Sequence, residues 1–311
     1  MADRYLVTGG AGFIGSSLVE ALLRAGHRVR VLDNFSTGRR GNIQHLADHV
    51  EIVEGDIRSY ERAHFALQTT DAVIHEAALP SVPRSVQDPL TTNEVIVTGT
   101  LNLLLAARDS GVRKVVFASS SSVYGAGGPL PKNEGCLTEP TSPYGVAKLA
   151  AERYCAAFQH VYGLETTMLR YFNVFGARQD PNSEYSAVLP KFVFAVAEGR
   201  RPTVFGDGSQ TRDFTHVDNI VQATLAACGQ GKGAGEVYNV GCGEPHSLLE
   251  LLAAIGNALG KPARPEFAAA RPGDVLHSHA DIAKARRELG YEPTVSFAEG
   301  VALTVRSLLE A

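Results

Sequence analysis

Arg4-Tyr5-Leu6-Val7-Thr8-Gly9-Gly10-Ala11-Gly12-Phe13-Ile14-Gly15 decides how this chain reads. A short apolar strand runs straight into a Gly-x-x-Gly-x-x-Gly turn. From Phe13 to Ala25 the period becomes helical, with Ile14, Leu18, Ala21 and Leu22 on one stripe and Gly26 where a left-handed cap is expected. A second strand, Arg28 to Asp33, completes a βαβ unit. Glycines belong in such a turn because the bend is tight, the backbone must approach a pyrophosphate, and helix and strand pack closely. The helix N-terminus then receives the anion. Asp33 stands at the end of the second strand, where a carboxylate accepts hydrogen bonds from the adenosine ribose, and it would repel a 2′-phosphate. That favours NAD over NADP and leaves Arg39 and Arg40 as surface or peripheral pyrophosphate contacts.

Outward from this unit, further strands are expected at Val50 to Glu54, Ala72 to His75, Lys114 to Ala118 and Glu165 to Tyr171. Alternation of strands with helical stretches predicts an α/β fold: a Rossmann-type doubly wound parallel sheet. Asp56, after the third strand, and Ala77-Ala78, after the fourth, fall where strand ends border a cofactor cleft, although Asp56 also reads as a helix cap. A long helix is signalled by Ser142 as N-cap and Pro143 at its first position, and apolar residues recur until Gly163. After Tyr171 the pattern loosens, with helices expected at Leu189 to Glu198, Val217 to Cys228, Leu248 to Leu259, Ile282 to Leu289 and Phe297 to Leu309. The expected division is a cofactor domain of residues 1–172 plus 211–240, and a smaller, mixed α/β substrate domain of residues 173–210 plus 241–311.

A chain of 311 residues, 44% of them hydrophobic, can bury a sizeable core unaided. Its 29 basic and 33 acidic residues are spread along the sequence, so no basic field gathers nucleic acid or an anionic membrane. Cys136, Cys155, Cys228 and Cys242 lie far apart, which reads as reduced thiols. No basic and apolar leader precedes the first strand, and no uninterrupted apolar run approaches the ~20 residues of a membrane helix, so a cytoplasmic protein is expected. His277 and His279 lack an evident third ligand and read as loop residues, with no metal.

On the helix capped by Ser142, Tyr144 and Lys148 share one face. Ser119-Ser120-Ser121-Ser122-Val123-Tyr124-Gly125 lies just past the fifth strand, at the edge where a doubly wound sheet binds ligands. A phenol with its ordinary pKa of ~10 is a poor base at neutral pH. It needs nearby positive charge, which Lys148 and an oxidised nicotinamide can supply. Serine hydroxyls can hold the substrate oxygen in line.

The sequence thereby resembles the extended short-chain dehydrogenase/reductase family, and within it the UDP-galactose/UDP-glucose 4-epimerases, over nearly the whole chain. The matching runs are Gly9 to Gly15, Asp33-Asn34-Phe35-Ser36-Thr37-Gly38, Ser119 to Gly125, Tyr144-Gly145-Val146-Ala147-Lys148, Arg170-Tyr171-Phe172-Asn173, Arg212 to Asp218, and Arg271-Pro272-Gly273-Asp274. The resemblance implies tightly held NAD, a base at Tyr144 helped by Ser120, and Lys148 on the nicotinamide ribose. It also implies cofactor contacts from Gly9, Gly12, Phe13, Ile14, Gly15, Asp33, Asn34, Ser36, Thr37, Gly38, Asp56, Ile57, Ala77, Ala78, Asn93, Ser119 and Tyr171. For the UDP-sugar it implies Ser120, Ser122, Asn173, Val188, Phe205, Arg212, Arg271, Asp274 and Ser278.

Related enzymes that dehydrate or decarboxylate the sugar carry acidic residues in the serine loop, where this chain has Ser121 and Ser122. Epimerisation is therefore expected. A sugar reductase would release its cofactor, and Asp33 counts against the NADP-linked form. Epimerases confined to plain hexoses place a tyrosine where Ser278 stands, so an N-acetylated sugar is expected to fit. The helix Asn93 to Ala107 is apolar on more than one side, and with the helix after Ser142 it is expected to form a homodimer interface.

Overall fold

The computed structural model describes residues 3–179, 188–270 and 275–310. The first half alternates strand and helix: β1 (Arg4–Thr8), α1 (Phe13–Arg24), β2 (Arg28–Asp33), β3 (Val50–Glu54), α2 (Tyr60–Ala66) and β4 (Ala72–His75). There follow α3 (Val82–Gln87), α4 (Pro89–Asn93), a π turn at Glu94–Thr98, α5 (Gly99–Asp109), β5 (Lys114–Ser120), α6 (Pro143–Tyr162) and β6 (Glu165–Tyr171). Beyond them lie β7 (Val174–Phe175), α7 (Val188–Ala197), β8 (Thr203–Phe205), β9 (Thr211–Arg212), β10 (Thr215–His216) and α8 (Val217–Ala227). The chain closes with β11 (Val237–Val240), β12 (His246–Ser247), α9 (Leu248–Leu259), β13 (Glu266–Ala268), α10 (Ala283–Leu289) and α11 (Phe297–Glu310).

Seven strands form one parallel sheet in the order β11-β6-β5-β4-β1-β2-β3. The order reverses between β1 and β4, and a crevice opens there at the carboxyl ends. One face is covered by α2, α5 and α6, whose Ala63, Leu103, Leu104, Ala151 and Phe158 meet Leu6, Val115 and Phe117 of the strands. On the other face, α1 and α8 bring Leu18, Leu22 and Val221 against Val7 and Val31. This is the expected doubly wound fold, with one strand more than the sequence pattern indicated. The extra strand, β11, is four residues long with the polar Asn239 within it, and it is a strand through its parallel pairing with β6.

The expected helices fall within a residue or two of their places. In α6, Ser142 Oγ accepts from Gly145 N–H at 3.1 Å, and Gly163 ends the helix at φ +70°. The run Pro89–Asp109 is longer than the expected Asn93 to Ala107, and by length and composition it could cross a membrane. Its inner side instead carries Ile96, Leu103 and Leu104 into the core.

The second region is built on short pairs: β7 with β10 and β8 with β13 are parallel, β9 with β12 antiparallel. Around them α7, α9 and α11 enclose Phe192, Phe214, Leu251, Ile255 and Val301. Here α10 behaves differently from its sequence neighbours, because Ala285 and Leu289 pack with Tyr238 and Val240 on the large sheet.

Candidate active site

A cleft of about 900 Å³ follows the carboxyl edge of the sheet across the switch point. Its floor is the glycine turn after β1. Gly9 has φ +69°, and a Cβ there would stand 2.8 Å from the Ala77 nitrogen; a Cβ on Gly15 would stand 2.1 Å from the Gly9 carbonyl oxygen. No side chain fits at either place, so bare backbone meets whatever enters. Thr8 Oγ1 and His75 Nδ1 lie 2.7 Å apart, and His75 Nε2 lies 3.0 Å from Thr100 Oγ1. Burial pushes that imidazole down to about 3, so it is neutral and structural, tying the turn to the end of β4. Ala77 N–H in turn donates to Thr8 Oγ1 at 3.3 Å.

Asp33 accepts from Ala11 N–H at 2.9 Å and from Phe35 N–H at 2.8 Å, one bond to each oxygen. Each oxygen keeps a second lone pair, and the residue lines the cleft. Burial pushes its pKa up, against those two backbone donors. Arg40 is taken by Glu54 at 2.5 Å, whereas Arg39 lines the cleft. Asp56 is held by Asn34 Nδ2 at 2.8 Å and by the guanidinium of Arg58, which brings its pKa down to about 2. It is not the cap of α2, a role that Ser59 fills by accepting from Arg62 N–H. Phe13, Ile14, Gly12, Ser36, Thr37, Gly38, Ile57, Ala78, Ser119 and Tyr171 also line the cleft. Asn93 does not; it is exposed at the end of α4, and Val95 in the π turn borders the cleft instead.

At the other end of the cleft, β5 and α6 bring Ser120, Ser122, Tyr144 and Lys148 together. The Ser120 hydroxyl stands by the Tyr144 phenol and lowers its pKa, while Ser120 Oγ donates to Ser122 Oγ at 3.1 Å and accepts from Ser122 N–H at 3.1 Å. Tyr144 N–H donates to Ser85 Oγ at 3.1 Å, fixing the first turn of α6. Lys148 Nζ donates to the Ala118 carbonyl at 2.7 Å and lies 5.9 Å from the centre of the Tyr144 ring. Burial pushes the phenol up to about 12, opposed by Ser120, and pushes the ammonium down to about 8. Burial thus outweighs the positive charge of Lys148 expected to help the phenol ionise; the other charge expected to help is the oxidised nicotinamide.

Asn173, at the exit of β6, lines both this cleft and a second, apolar pocket of about 280 Å³. That pocket contains Val188, Phe205 and Arg212, together with Phe192, Phe214 and Leu248. Arg212 donates to the carbonyls of Thr211 and Leu276. Ser278 sits beside them, its N–H on the Thr211 carbonyl at 3.1 Å, but it lines neither cavity. Arg271 and Asp274 lie outside the described residues. Among the described residues no cluster of three His, Cys, Asp or Glu side chains could hold a metal. His277 and His279 are engaged with Thr211 and the Gly243 carbonyl.

Sequence reading missed Glu76, which lines the cleft with its carboxylate on the Tyr171 hydroxyl, and Arg178 and Gln179 at its rim. The signal for Glu76 was a charged residue in the run His75-Glu76-Ala77-Ala78 at a strand end.

The model of the NAD dependent epimerase/dehydratase family matches residues 5–241. The UDP-glucose 4-epimerase of Mycolicibacterium smegmatis is 44% identical over 97% of both chains. The chain belongs to the NAD-dependent epimerase/dehydratase family. Among solved structures it is similar to a UDP-glucose 4-epimerase of Thermotoga maritima with UDP-glucose, at TM-score 0.94 and 38% identity over 99% of each chain. It is equally similar in fold to a UDP-N-acetylglucosamine 4-epimerase of Methanobrevibacter ruminantium in complex with UDP-N-acetylmuramic acid, at TM-score 0.94 and 37% identity over 100% and 99% of the two chains. The family cofactor is NAD, and the side-chain-free turn at Gly9 and Gly15, the helix N-terminus at Phe13 and the acceptor at Asp33 suit it.

Proposed function

We propose that this family member is a UDP-hexose 4-epimerase that interconverts UDP-glucose and UDP-galactose and also takes the N-acetylated pair. The observation that carries this is the reacting end of the cleft: Tyr144 beside Ser120, with Ser121 and Ser122 in the loop where acidic residues would drive elimination or decarboxylation. In the proposed cycle Tyr144 takes the proton of the sugar 4-hydroxyl, Ser120 holds that oxygen, and Lys148 fixes the nicotinamide ribose. NAD held there would accept the hydride from the sugar carbon and return it to the opposite face of the 4-keto sugar. Asn173 and Arg212 hold the diphosphate, with Val188 and Phe205 lining the pocket for the nucleotide; Arg271 and Asp274 complete the set by resemblance. We assign the cofactor to residues 1–172 plus 211–240 and the sugar nucleotide to residues 173–210 plus 241–311. Incubation with UDP-glucose and no added NAD is expected to give UDP-galactose without accumulating NADH; a dehydrated sugar product would overturn the reading.

The N-acetylated pair rests on the small side chain of Ser278, next to the strand that carries Arg212. Wild type is expected to interconvert UDP-N-acetylglucosamine and UDP-N-acetylgalactosamine. Ser278→Tyr should remove that activity and keep the plain one. Equal loss of both, or an inert wild type, would reject Ser278 as the determinant.

We also propose a homodimer. The helix expected at the interface, Asn93 to Ala107, turns Ile96, Leu103 and Leu104 into the core, and the exposed apolar side chains lie beside it: Val86 and Leu90 on α3 and α4, 64% and 77% exposed, and Val146 and Tyr154, about two turns apart on α6, 53% and 38% exposed. An apolar surface on packed helices is what an isologous interface covers. Light scattering at micromolar concentration is expected to give twice the single-chain mass, and Val146→Asp to reduce it; a single-chain mass for wild type would reject the dimer.

A further inference from the structure

Glu76 lines the cleft, yet the chemistry proposed above gives it no part. β4 ends with His75 paired to Phe117 of β5, so the next residues, Glu76 and Ala118, are neighbours at the sheet edge. The Ala118 carbonyl takes the Lys148 ammonium at 2.7 Å. One strand further on, Tyr171 pairs with Ser120, and its hydroxyl donates to Glu76 Oε1 at 2.8 Å while meeting Thr224 Oγ1 at 2.9 Å. The carboxylate and the ammonium thus face the same cleft at the ends of β4 and β5, one held by the Tyr171 hydroxyl and the other by the Ala118 carbonyl. A buried ammonium and a half-buried carboxylate are each costly to leave unbalanced.

We propose that Glu76 is a positioning residue, the internal counter-ion of Lys148: held by the Tyr171 hydroxyl, its carboxylate keeps the ammonium charged and sets the pH window in which Tyr144 and Lys148 hold their working protonation states. This rests on the roles given to Tyr144 and Lys148 above. Glu76 opposes the downward push that burial exerts on Lys148, and it raises Tyr144. Its own pKa is pushed up to about 7 by burial, against the Tyr171 hydroxyl and Lys148. The other groups facing these side chains leave it this role. His75 is neutral, and burial pushes the phenol of Tyr171 and the thiols of Cys155 and Cys228 upward, so they stay protonated. Glu152 also acts on Lys148, but Arg170 binds it directly. Arg84, from α3, borders the same cleft.

Glu76→Gln keeps the acceptor for Tyr171 and removes the charge. Lys148 then loses the anion that favoured its ammonium, and Tyr144 loses the anion that opposed its phenolate. Both limbs of the pH profile of kcat are expected to move to lower pH, by about one unit. NMR of isotope-labelled lysine in the NAD-loaded protein without substrate, with Lys148 assigned by its loss in Lys148→Met, should show the same downward displacement. Should Glu76→Gln fail to fold, Tyr171→Phe removes the hydroxyl that favours the ionised carboxylate, and it is expected to move the limbs the same way. A lower plateau with both limbs in place, or an unmoved Lys148 titration, overturns the proposal. Tyr144→Phe tests the catalytic assignment separately, and if that fails the lysine titration still decides for or against the counter-ion.

Discussion

Tyr144→Phe is expected to lower turnover on UDP-glucose by about 10² or more, the scale of general acid–base catalysis, while the protein keeps its NAD. The ring packs with the cluster formed by α5, α6 and their strands, and phenylalanine preserves that contact. The first turn of α6 is fixed through the Tyr144 backbone N–H, which the substitution leaves in place. What is lost is the hydroxyl beside Ser120. Burial pushes that hydroxyl up to about 12, too weak an acid to become a base at neutral pH unaided. A positive nicotinamide ring beside it would favour the phenolate, so the base is made when cofactor and protein combine. The loss should fall on kcat more than on KM, because the proton moves only in the reaction. Ser120→Ala, which removes the hydroxyl that lowers the phenol, should cost turnover but less than Tyr144→Phe. Turnover of Tyr144→Phe within a few-fold of wild type would show that another group takes the proton.

The cofactor half was legible where local pattern and tertiary role coincide. Between Arg4 and Asp33 the apolar period switches from two to helical and back, and each switch is marked by glycine. Ser142, Pro143 and Gly163 bound α6 for the same reason: capping is local chemistry. Where the answer depended on distant partners the reading fell short. β11 exists because Val237–Val240 finds β6 across the chain. Asp56 lines the cleft as expected, but its second reading as a cap fails, because Asn34 and Arg58 hold it and Ser59 does the capping. Asn93 was expected at the cofactor from the resemblance; it ends α4 exposed, and Val95, in the π turn that follows, lines the cleft. Glu76 carried a signal as a charged residue at a strand end, but nothing in the run His75-Glu76-Ala77-Ala78 announces Tyr171 as its partner. Ser278 shows the limit for loops: its strand-like bond to Thr211 places it near Arg212, a position that spacing from Asp274 does not determine.

Glu152→Ala is expected to destabilise the protein by about 3–5 kcal/mol, the cost of stranding one member of a buried ion pair. Glu152 on α6 and Arg170 on β6 are bonded twice, Nε to Oε1 at 2.9 Å and Nη2 to Oε2 at 2.8 Å, with side chains 2% and 4% exposed. Ser119 Oγ donates to the same carboxylate at 2.5 Å, and the guanidinium lies 4.7 Å from the centre of the Tyr124 ring. Alanine would leave a guanidinium charge in the interior with its strongest acceptor gone, and the Ser119 hydroxyl would lose its acceptor too. Urea unfolding is expected to show a lower midpoint at unchanged slope, and the melting temperature should fall by roughly 10 °C. The double variant Glu152→Met with Arg170→Met removes both charges and fills the volume, so it should lose less than Glu152→Ala alone. That ordering separates a stranded charge from a simple cavity, for which two truncations would be worse than one. Ser119 precedes Ser120 on the same strand end, so Glu152→Gln, which keeps an acceptor oxygen for the serine, should hold the Ser120–Tyr144 contact and retain turnover better than the alanine variant. A loss for Glu152→Ala below about 1 kcal/mol, the range of exposed pairs, would mean that water reaches Arg170 and that the pair does not behave as buried.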